Sequence, residues 1–307
     1  MLLAYPDDDL GAAAWIDLVS PTAEEIERVR AATGLRVPGE NEISEIESSS
    51  RLAFEAGAYR VSTPLVSPVG EGALVLAPVG FVLSSRVLLT VRFAALPALD
   101  AAHEACKTLG VRTAEEAFLR ILEIVVDRSA DKLELAGAEC DELSRRAFRS
   151  GPRDKLSIDL RGALRRVGVV ADRTSQIRDA LLGLGRLAAF VMESGLEGAP
   201  TVNAARMKAI RADVASLTDY QAHLSGKVQF LLDATLGYIN IEQNEIVKTL
   251  TIASVVGIPP VLVAGIYGMN FRVMPELTWS FGYPMALGLI VVSAIVPLLW
   301  FKRRGWM

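Results

Sequence analysis

Two long runs without a charged residue lie near the C-terminal end of the sequence, at residues 249–267 and 277–301. They contain 19 and 25 residues. A helix needs about 20 apolar residues to cross roughly 30 Å of hydrocarbon. The pattern therefore predicts two membrane-spanning helices, at 249–267 and 283–301, joined by an outer loop at 268–282. The alternative is a pair of buried core helices, although a soluble core rarely needs two such runs in succession.

A single long helix is predicted to lead into the first span. No proline occurs from Val202 until Pro259, and apolar residues recur at intervals of three and four. The stalk, at 201–248, is too long to remain inside one globular domain, because a helix rises about 1.5 Å per residue. We expect it to join a soluble domain to the membrane.

The beginning of the chain mixes helix and strand patterns. Ser20 as a cap and Pro21 as the first helical residue, followed by acidic residues, predict a helix start. Short β-rich runs at 58–66, 78–83 and 87–92 predict strands, with a turn at residues 84–86. These elements indicate a small α/β layer.

Two antiparallel helices are predicted to follow. Thr113 and Glu116 have the spacing of a capping box that opens a helix reaching residue 148. Gly151 and Pro152 break this helix, a second helix runs over 155–192, and residues 195–200 form the next break. The predicted fold is an α+β membrane protein whose N-terminal domain, residues 1–200, is cytoplasmic and combines the α/β layer with a helical hairpin.

The basic residues near the spans predict the orientation in the membrane. Lys248 precedes the first span, and Lys302, Arg303 and Arg304 follow the second in a basic tail at 302–307. Positive charge marks the cytoplasmic ends of membrane helices, so we expect both termini in the cytoplasm and the loop outside. The N-terminus lacks the basic region of a secretory signal, so we expect the C-terminal segments to insert the chain into the membrane.

Composition narrows the function classes. Hydrophobic residues make up 51% of the chain and the net charge is −4, which argues against a nucleic-acid partner. Cys106 and Cys140 match no metal-ligand or redox spacing. With two histidines and no nucleophile motif, neither an enzyme nor an organic cofactor is expected.

The long helix has two faces of different character. One face is apolar apart from Gln221 and suits packing against neighbouring helices. Its members are Val214, Leu217, Leu224, Val228 and Leu231. The roughly opposite stripe is polar or small at most positions and continues into the first span. Its members are Asp219, His223, Gly226, Phe230, Asp233, Gly237, Asn240, Asn244, Val247, Thr251, Ser254, Ile258, Val261 and Gly265.

A polar stripe that faced lipid would be costly, so we interpret it as the lining of a water-filled axis. Two spans per chain are too few to enclose a pore, which predicts a cyclic oligomer. Asp233 would form a carboxylate ring that attracts cations, and Asn240 and Asn244 would offer neutral oxygens. A hydrophobic constriction that gates by dewetting is expected from Val247, Leu250 and Ile258.

The stripe has an alternative interpretation that needs no pore. Thr251 and Ser254 would donate hydrogen bonds to their own helix, and Gly265 would allow close helix packing. His223 on this face is better explained as a solvated stalk residue than as a functional one.

A specific motif follows the first span directly. Residues 267–270 read YGMN and residues 274–277 read MPEL. Together with LDATLGYINIEQNEIVK before the span and FKRRGWM at the end, this pattern resembles the CorA magnesium/cobalt transporter family. The strong resemblance covers 228–307, with weaker matches at 15–18 and 48–51. It implies a funnel-shaped homopentamer that carries Mg²⁺, and also Co²⁺ and Ni²⁺, into the cytoplasm.

The resemblance implies ion selection at the motif, and the chemistry of Mg²⁺ agrees. This ion gives up its water reluctantly, so a selective mouth should hold the hydrated ion through neutral acceptors. The side-chain carbonyl of Asn270 and the backbone carbonyl of Gly268 are such acceptors. Glu276 in the outer loop either raises the local cation concentration or is merely solvated.

The resemblance also implies gating by internal Mg²⁺. Family members close when Mg²⁺ binds between subunits at aspartates, one of them on the stalk. Counting back from the motif, the expected stalk position falls on Ala209, and the nearest acidic residues, Asp213 and Asp219, are the candidate regulatory ligands. Val261 stands where some relatives carry a pore hydroxyl, a second departure from the family pattern.

Two other functions remain open at this point. A zinc transporter of the related ZntB type would share the architecture, although such proteins tend to vary the residue between Gly268 and Asn270 and to lack MPEL. A non-conducting membrane sensor or scaffold would explain the spans and the stalk, but not a continuous small and polar stripe that ends in GMN.

Overall fold

The computed structural model describes residues 1–6, 9–45, 51–70, 73–149, 160–193, 200, 202–270, 272 and 274–306. The predicted break at 151–152, the start of the second hairpin helix at 155–159 and most of the break at 195–200 lie outside the described residues, as do positions 48–50. The chain divides into two compact units, Met1–Leu232 and Asp233–Met307.

The first unit contains a six-stranded sheet in the order β1-β2-β6-β5-β4-β3. Neighbouring strands are antiparallel except β2 and β6, which run parallel. The three strand predictions are confirmed, and two of these strands extend beyond the predicted runs. The strands are β1 Leu2–Tyr5, β2 Trp15–Val19, β3 Leu52–Glu55, β4 Ala58–Val69, β5 Ala73–Leu83 and β6 Leu88–Arg92.

The first helix, α1 (Ala23–Thr33), begins later than the sequence predicted. Thr22 is its cap: the Thr22 hydroxyl accepts a hydrogen bond from the Glu25 amide at 3.2 Å, and the Glu25 carboxylate accepts one from the Thr22 amide at 2.9 Å. The assignment of Ser20 as the cap and Pro21 as the first helical residue is therefore wrong. Ser20 has a φ of 44°, and its amide donates to the Arg92 carbonyl, so it ends β2 instead.

The hairpin helices α4 (Ala114–Arg149) and α5 (Leu160–Glu193) follow the sequence pattern closely, whereas the helices at Glu40–Ser44 and Pro97–Leu109 were not predicted. Thr113 caps α4 as predicted, since its hydroxyl accepts from the Glu116 amide at 3.2 Å. The two hairpin helices pack against each other as expected. The helices are α2 Glu40–Ser44, α3 Pro97–Leu109, α4 Ala114–Arg149, α5 Leu160–Glu193, α6 Ala204–Tyr267 and α7 Gly282–Arg303, with a short 3-10 helix at Pro275–Thr278.

A buried polar network holds the parallel pair of strands together. Asp17 on β2 accepts hydrogen bonds from Thr90 at 2.6 Å and from the Arg92 guanidinium at 2.8 Å, both on β6. Trp15 donates to Thr90 at 2.9 Å, and Arg92 also pairs with Asp100 at the start of α3. Burial lowers the pKa of Arg92, but the two aspartates outweigh burial and raise it overall. The guanidinium therefore stays charged in the core.

The apolar stripe of α6 is buried within the first unit. Val214, Leu224 and Leu231 lie in its hydrophobic core, against the hairpin of the same chain. The polar exception, Gln221, is also buried, and its side-chain amide donates to the Thr174 carbonyl on α5 at 3.2 Å. The stripe thus serves packing inside one chain, and its one polar residue is satisfied.

Two ion pairs fasten α6 to α4. The guanidinium of Arg206 contacts Glu123 at 2.7 Å, and Lys227 contacts Asp141 further along the helix. The hydrogen bond from Lys227, together with its charge, lowers the pKa of Asp141. Both pairs lie in the part of α6 that belongs to the first unit.

Gly282, the first residue of α7, permits a close backbone contact in the second unit. A Cβ atom at this position would clash with the Glu276 carbonyl oxygen, so no side chain fits there without a shift of the loop. The Gly282 amide donates to the Trp279 carbonyl at 3.0 Å. The connection between the 3-10 helix and α7 therefore depends on this glycine.

The basic tail forms a structured cap at the end of α7. Gly305 has a φ of 71°, and the Trp306 amide donates back to the Phe301 carbonyl at 3.1 Å, as in a Schellman motif. The Trp306 ring stacks on Phe301, and the Arg304 guanidinium lies 5.0 Å from the centre of the Trp300 ring. The helix end thus combines aromatic and cationic groups, the composition found at membrane–water interfaces.

We expect the variant Arg92→Met to lower the free energy of unfolding by about 3–5 kcal/mol, because it leaves Asp17 buried without a cation. The double variant Asp17→Asn with Arg92→Met should recover much of this loss. Urea unfolding of the detergent-purified chain, followed by tryptophan fluorescence, measures both. Arg30→Met is the control, since its exposed pair with Glu27 should contribute less than about 1 kcal/mol. Equal losses for Arg92→Met and Arg30→Met would contradict the role assigned to the buried pair.

Candidate functional site

The stripe predicted to line a pore is the open face of α6. Asp219, His223 and Phe230 are exposed in the first unit, on the side away from the buried apolar stripe. In the second unit the exposed members are Asp233, Asn240, Asn244, Val247, Ile258, Val261 and Gly265, and the half-buried members are Gly237, Thr251 and Ser254.

The stripe in the second unit stays on one side of the helix. At about 100° per residue, the positions from Asn240 to Gly265 fall within an arc of roughly 100°. The helix is continuous over this stretch. Asn240 and Asn244 lie one turn apart on the exposed side, so their amide groups follow one another along the same line. The structure thus brings these predicted residues onto a common face.

Bulky apolar side chains occupy the middle of this face. Val247, Leu250, Ile258 and Val261 are 60%, 66%, 58% and 71% exposed, so the described part of the chain leaves most of each side chain uncovered. Leu250 lies about 60° from Val247 around the helix and widens the apolar band. This band has the chemistry of a hydrophobic constriction, provided that other copies of the helix surround it.

The alternative interpretation of the small polar residues holds in part. The Thr251 hydroxyl donates to the Val247 carbonyl one turn earlier, at 2.8 Å, as that interpretation expected. The Thr251 oxygen keeps its lone pairs for other donors. Gly265 has no close packing partner in the described chain, since an added Cβ would meet nothing within 4 Å. A need for close packing inside one chain therefore does not explain this glycine.

The GMN motif forms a tight turn at the end of α6. The Gly268 amide donates to the Ala264 carbonyl at 2.9 Å, and the Met269 amide donates to the Ile266 carbonyl at 3.2 Å. A Cβ on Gly268 would lie 3.0 Å from the Ala264 oxygen, so glycine suits the close approach there. Asn270 follows the turn and is exposed.

The outer loop beyond the motif presents Glu276. This residue lies in the 3-10 helix and is exposed, and its backbone carbonyl faces Gly282. Phe271 and Val273, which follow the motif, lie outside the described residues. Asn270 and Glu276 therefore both belong to the connection between α6 and α7.

The two candidate regulatory aspartates do not lie together. Asp213 and Asp219 are both exposed on α6, but six residues of helix set them about 120° apart. Ala209, at the position implied by the family resemblance, offers no ligand atom on its side chain. Among the described residues, no group of three or more His, Cys, Asp or Glu side chains is placed to hold a metal ion.

The predicted span at 249–267 is helical throughout, although Pro259 and Pro260 have no amide hydrogen to donate to the carbonyls of Val255 and Val256. Sequence reasoning missed two features near the site, the contact at Gly282 and the cap at Gly305. A glycine followed by an apolar residue after a helix end was the available signal for the last of these.

Both C-terminal helices are long and apolar enough to cross a membrane. Their most apolar 18-residue windows have mean hydropathies of 2.0 in α6 and 2.2 in α7. These windows are 0% and 6% buried, which contradicts the alternative of two core helices within this chain. The apolar surface of both helices is therefore available for contact with lipid or with other chains.

Comparisons with known proteins agree with the motif. The model of the family described as CorA-like Mg2+ transporter protein matches residues 11–303. Magnesium transport protein CorA of Haemophilus influenzae is 33% identical over 301 residues, covering 97% of this chain and 94% of the relative. Its namesake from Yersinia pseudotuberculosis is 32% identical over 302 residues, covering 98% and 94%.

The fold agrees as well. The complete structure of the CorA magnesium transporter from Methanocaldococcus jannaschii matches with a TM-score of 0.74 at 20% identity, covering 95% of this chain and 91% of that one. This likeness extends over the α/β domain, the long helix and the apolar C-terminal helices. With a family model that spans nearly the whole sequence and relatives that are one-third identical over the same length, the chain belongs to the CorA-like Mg²⁺ transporter family.

Proposed function

We propose that this protein is a channel that carries Mg²⁺ across a membrane into the cytoplasm. The observation that carries the proposal is the open face of α6, which runs through an apolar span and ends at the GMN turn. Family membership and the magnesium-transport relatives support the choice of ion. A divalent ion gains about 4.6 kcal/mol per 100 mV of inside-negative potential, twice the value for one charge, so no further energy source is needed.

The proposed active form is a homopentamer in the lipid bilayer. A span with a polar face is stable when that face is turned away from lipid, and several copies of α6 around an axis achieve this. The subunit number comes from the family resemblance. In the oligomer the GMN turns form the outer mouth, and the open faces of α6 line the path below it.

Each group on the path has a distinct task. The Asn270 side chain and the Gly268 carbonyl hold the hydrated ion at the mouth, since Mg²⁺ keeps its water more readily than it exchanges it. Asn240 and Asn244 give further neutral acceptors, and the Asp233 ring attracts cations at the inner end. Glu276 raises the local cation concentration outside.

The apolar band closes the path when the helices approach each other. Val247, Leu250, Ile258 and Val261 leave no polar group to hold water in a narrow bore, so a small inward movement empties it. Between the apolar positions, the hydroxyl groups of Thr251 and Ser254 hold water on the same face. Gly265, which has no side chain, lets the helices stay close together. Opening then requires a modest separation of the helices.

The proposed topology puts both termini in the cytoplasm of a bacterial inner membrane, because basic residues flank the inner ends of both spans. The proposed divisions are the cytoplasmic α/β and hairpin domain 1–200, the stalk 201–248, the first span 249–267, the outer loop 268–282, the second span 283–301 and the basic tail 302–307.

Internal Mg²⁺ is proposed to close the channel through carboxylates between subunits. Bridging by a divalent cation would hold neighbouring stalks together, and repulsion would loosen them when the metal leaves. Asp213 and Asp219 are exposed and free of the packing inside the first unit, so they are open to a neighbouring copy. Co²⁺ and Ni²⁺ belong to the proposed substrates because the family resemblance implies them.

We expect Asn270→Ala to abolish most Mg²⁺ entry into proteoliposomes that contain a Mg²⁺-sensitive dye and hold an inside-negative potential. The substitution removes the ring of amide acceptors at the mouth while leaving the spans intact. Asn41→Ala, on the surface of α2, is the control and should transport normally. Entry of Zn²⁺ but not Mg²⁺ into the native vesicles would favour the ZntB-type function, and no entry of any cation would favour a sensor or scaffold.

We expect Ile258→Thr to raise Mg²⁺ entry several-fold when the vesicles already contain a high internal Mg²⁺ concentration. A hydroxyl in the apolar band stabilises water there and hinders closure by dewetting. Val256→Thr is the matched control, because this residue lies about 160° away on the helix. If both variants behave like the native protein, the constriction does not lie at Ile258.

We expect the double variant Asp213→Asn with Asp219→Asn to keep its Mg²⁺ entry but to lose inhibition by internal Mg²⁺. The amides keep the size of the side chains and remove the charges that a bridging cation needs. The measurement is the initial entry rate at increasing internal Mg²⁺. An unchanged inhibition curve would move the regulatory site away from these residues.

A further inference from the structure

A cavity in the first unit plays no part in the transport path. It lies between the sheet and α5 and has a volume of about 520 Å³. Small-molecule sites in proteins commonly measure roughly 300–1,000 Å³. Its shape is set by a close contact at one side, where a Cβ on Gly183 would clash with the Thr63 hydroxyl of β4. Because Gly183 has no side chain, α5 can approach β4 this closely.

Two arginines line this cavity from different elements. Arg51 precedes β3, and Arg186 lies on α5. The Nε atom of Arg51 donates to the Glu45 carbonyl. Among the described residues, neither guanidinium has a carboxylate partner, whereas Arg60 nearby pairs with Glu42 and Glu55. Two unpaired guanidiniums in one cavity favour an anion, and their planar N–H groups match phosphate oxygens.

A buried hydroxyl group also lines the cavity. Ser62 on β4 is 8% exposed, and its oxygen has no hydrogen-bond partner within the described chain. Buried polar groups nearly always have a partner, so an orphaned hydroxyl on a cavity wall indicates a missing one. A ligand oxygen beside Ser62 would satisfy it.

The remaining walls determine the rest of the ligand. Leu76 and Pro78 on β5 and Leu182 on α5 give an apolar surface. Asp179, one turn before Leu182, lies at the exposed side and has no ion pair among the described residues. Its carboxylate would accept hydrogen bonds from hydroxyl groups but would repel a second anionic group. The ligand should therefore carry one anionic end, hydroxyl groups and an apolar body.

We propose that this cavity binds a small organic phosphate of the nucleoside monophosphate class. Arg51 and Arg186 hold the phosphate, Ser62 donates to a ligand oxygen, and Asp179 accepts from the sugar hydroxyls. Leu76 and Leu182 cover the base. Binding here does not depend on the proposed transport, because every residue involved lies in the first unit.

The test is isothermal titration of the full-length chain in detergent with adenosine monophosphate, in the presence of EDTA so that no metal bridges the phosphate. We expect one site per chain and a rise in the unfolding temperature at saturating ligand. Arg186→Gln should weaken binding at least tenfold. Arg178→Gln is the matched control, since Arg178 lies on the exposed surface of the same helix and outside the cavity.

Ser62→Ala gives a second and independent readout. It removes an unsatisfied buried hydroxyl, so the unfolding temperature without ligand should stay the same or rise, while affinity falls several-fold. Equal losses in Arg186→Gln and Arg178→Gln would overturn the proposal. Inorganic phosphate that binds as tightly as the nucleotide would reduce the site to an adventitious ion only, and adenosine that binds as tightly would remove the role of the arginines.

Discussion

A polar face on a helix that crosses hydrocarbon must be kept away from lipid, and this constraint governs the second unit. The backbone of α6 stays helical up to Tyr267, so its polar groups bond to one another except at Pro259 and Pro260, where the carbonyls of Val255 and Val256 receive no helical amide donor. The side chains on its open face cannot be satisfied in the same way by one chain. The chain alone therefore leaves this face uncovered, and in the proposed pore further copies of α6 would cover it.

The first unit meets a different constraint, because it must give α6 a fixed support. The buried network around Asp17 and Arg92 holds the parallel strands, and the hairpin packs against the apolar stripe of α6. The pairs Arg206–Glu123 and Lys227–Asp141 add two charged contacts along the same helix. One side of α6 thereby packs against its own chain. The opposite side remains available for contact with other copies.

Features with a local or periodic cause could be predicted from the sequence. The spans, the hairpin start at Thr113 and the two faces of α6 all follow from patterns within a few turns of chain. Ser20 was misassigned because a second capping residue, Thr22, lies two positions later and its partner Glu25 decides between them. The Ser62 cavity depends on contacts between segments that are distant in sequence, and Gly282 on a backbone contact across an irregular loop, so no helix or strand periodicity indicates either of them. The separation of Asp213 and Asp219 around α6 follows from helix geometry. A metal site whose ligands come from different copies of the chain cannot be predicted in this way.

The hydrogen bond from Thr251 to the Val247 carbonyl bears on the sign of the charge that the proposed pore accepts. A hydroxyl normally serves either partner, turning its hydrogen toward an anion or its oxygen toward a cation. At Thr251 the hydrogen is already held by the backbone one turn earlier, so in the proposed pore the hydroxyl would present only its oxygen to the bore. The water around a magnesium ion points its hydrogens outward and would meet an acceptor there, whereas the water around an anion points its oxygens outward and would meet no donor.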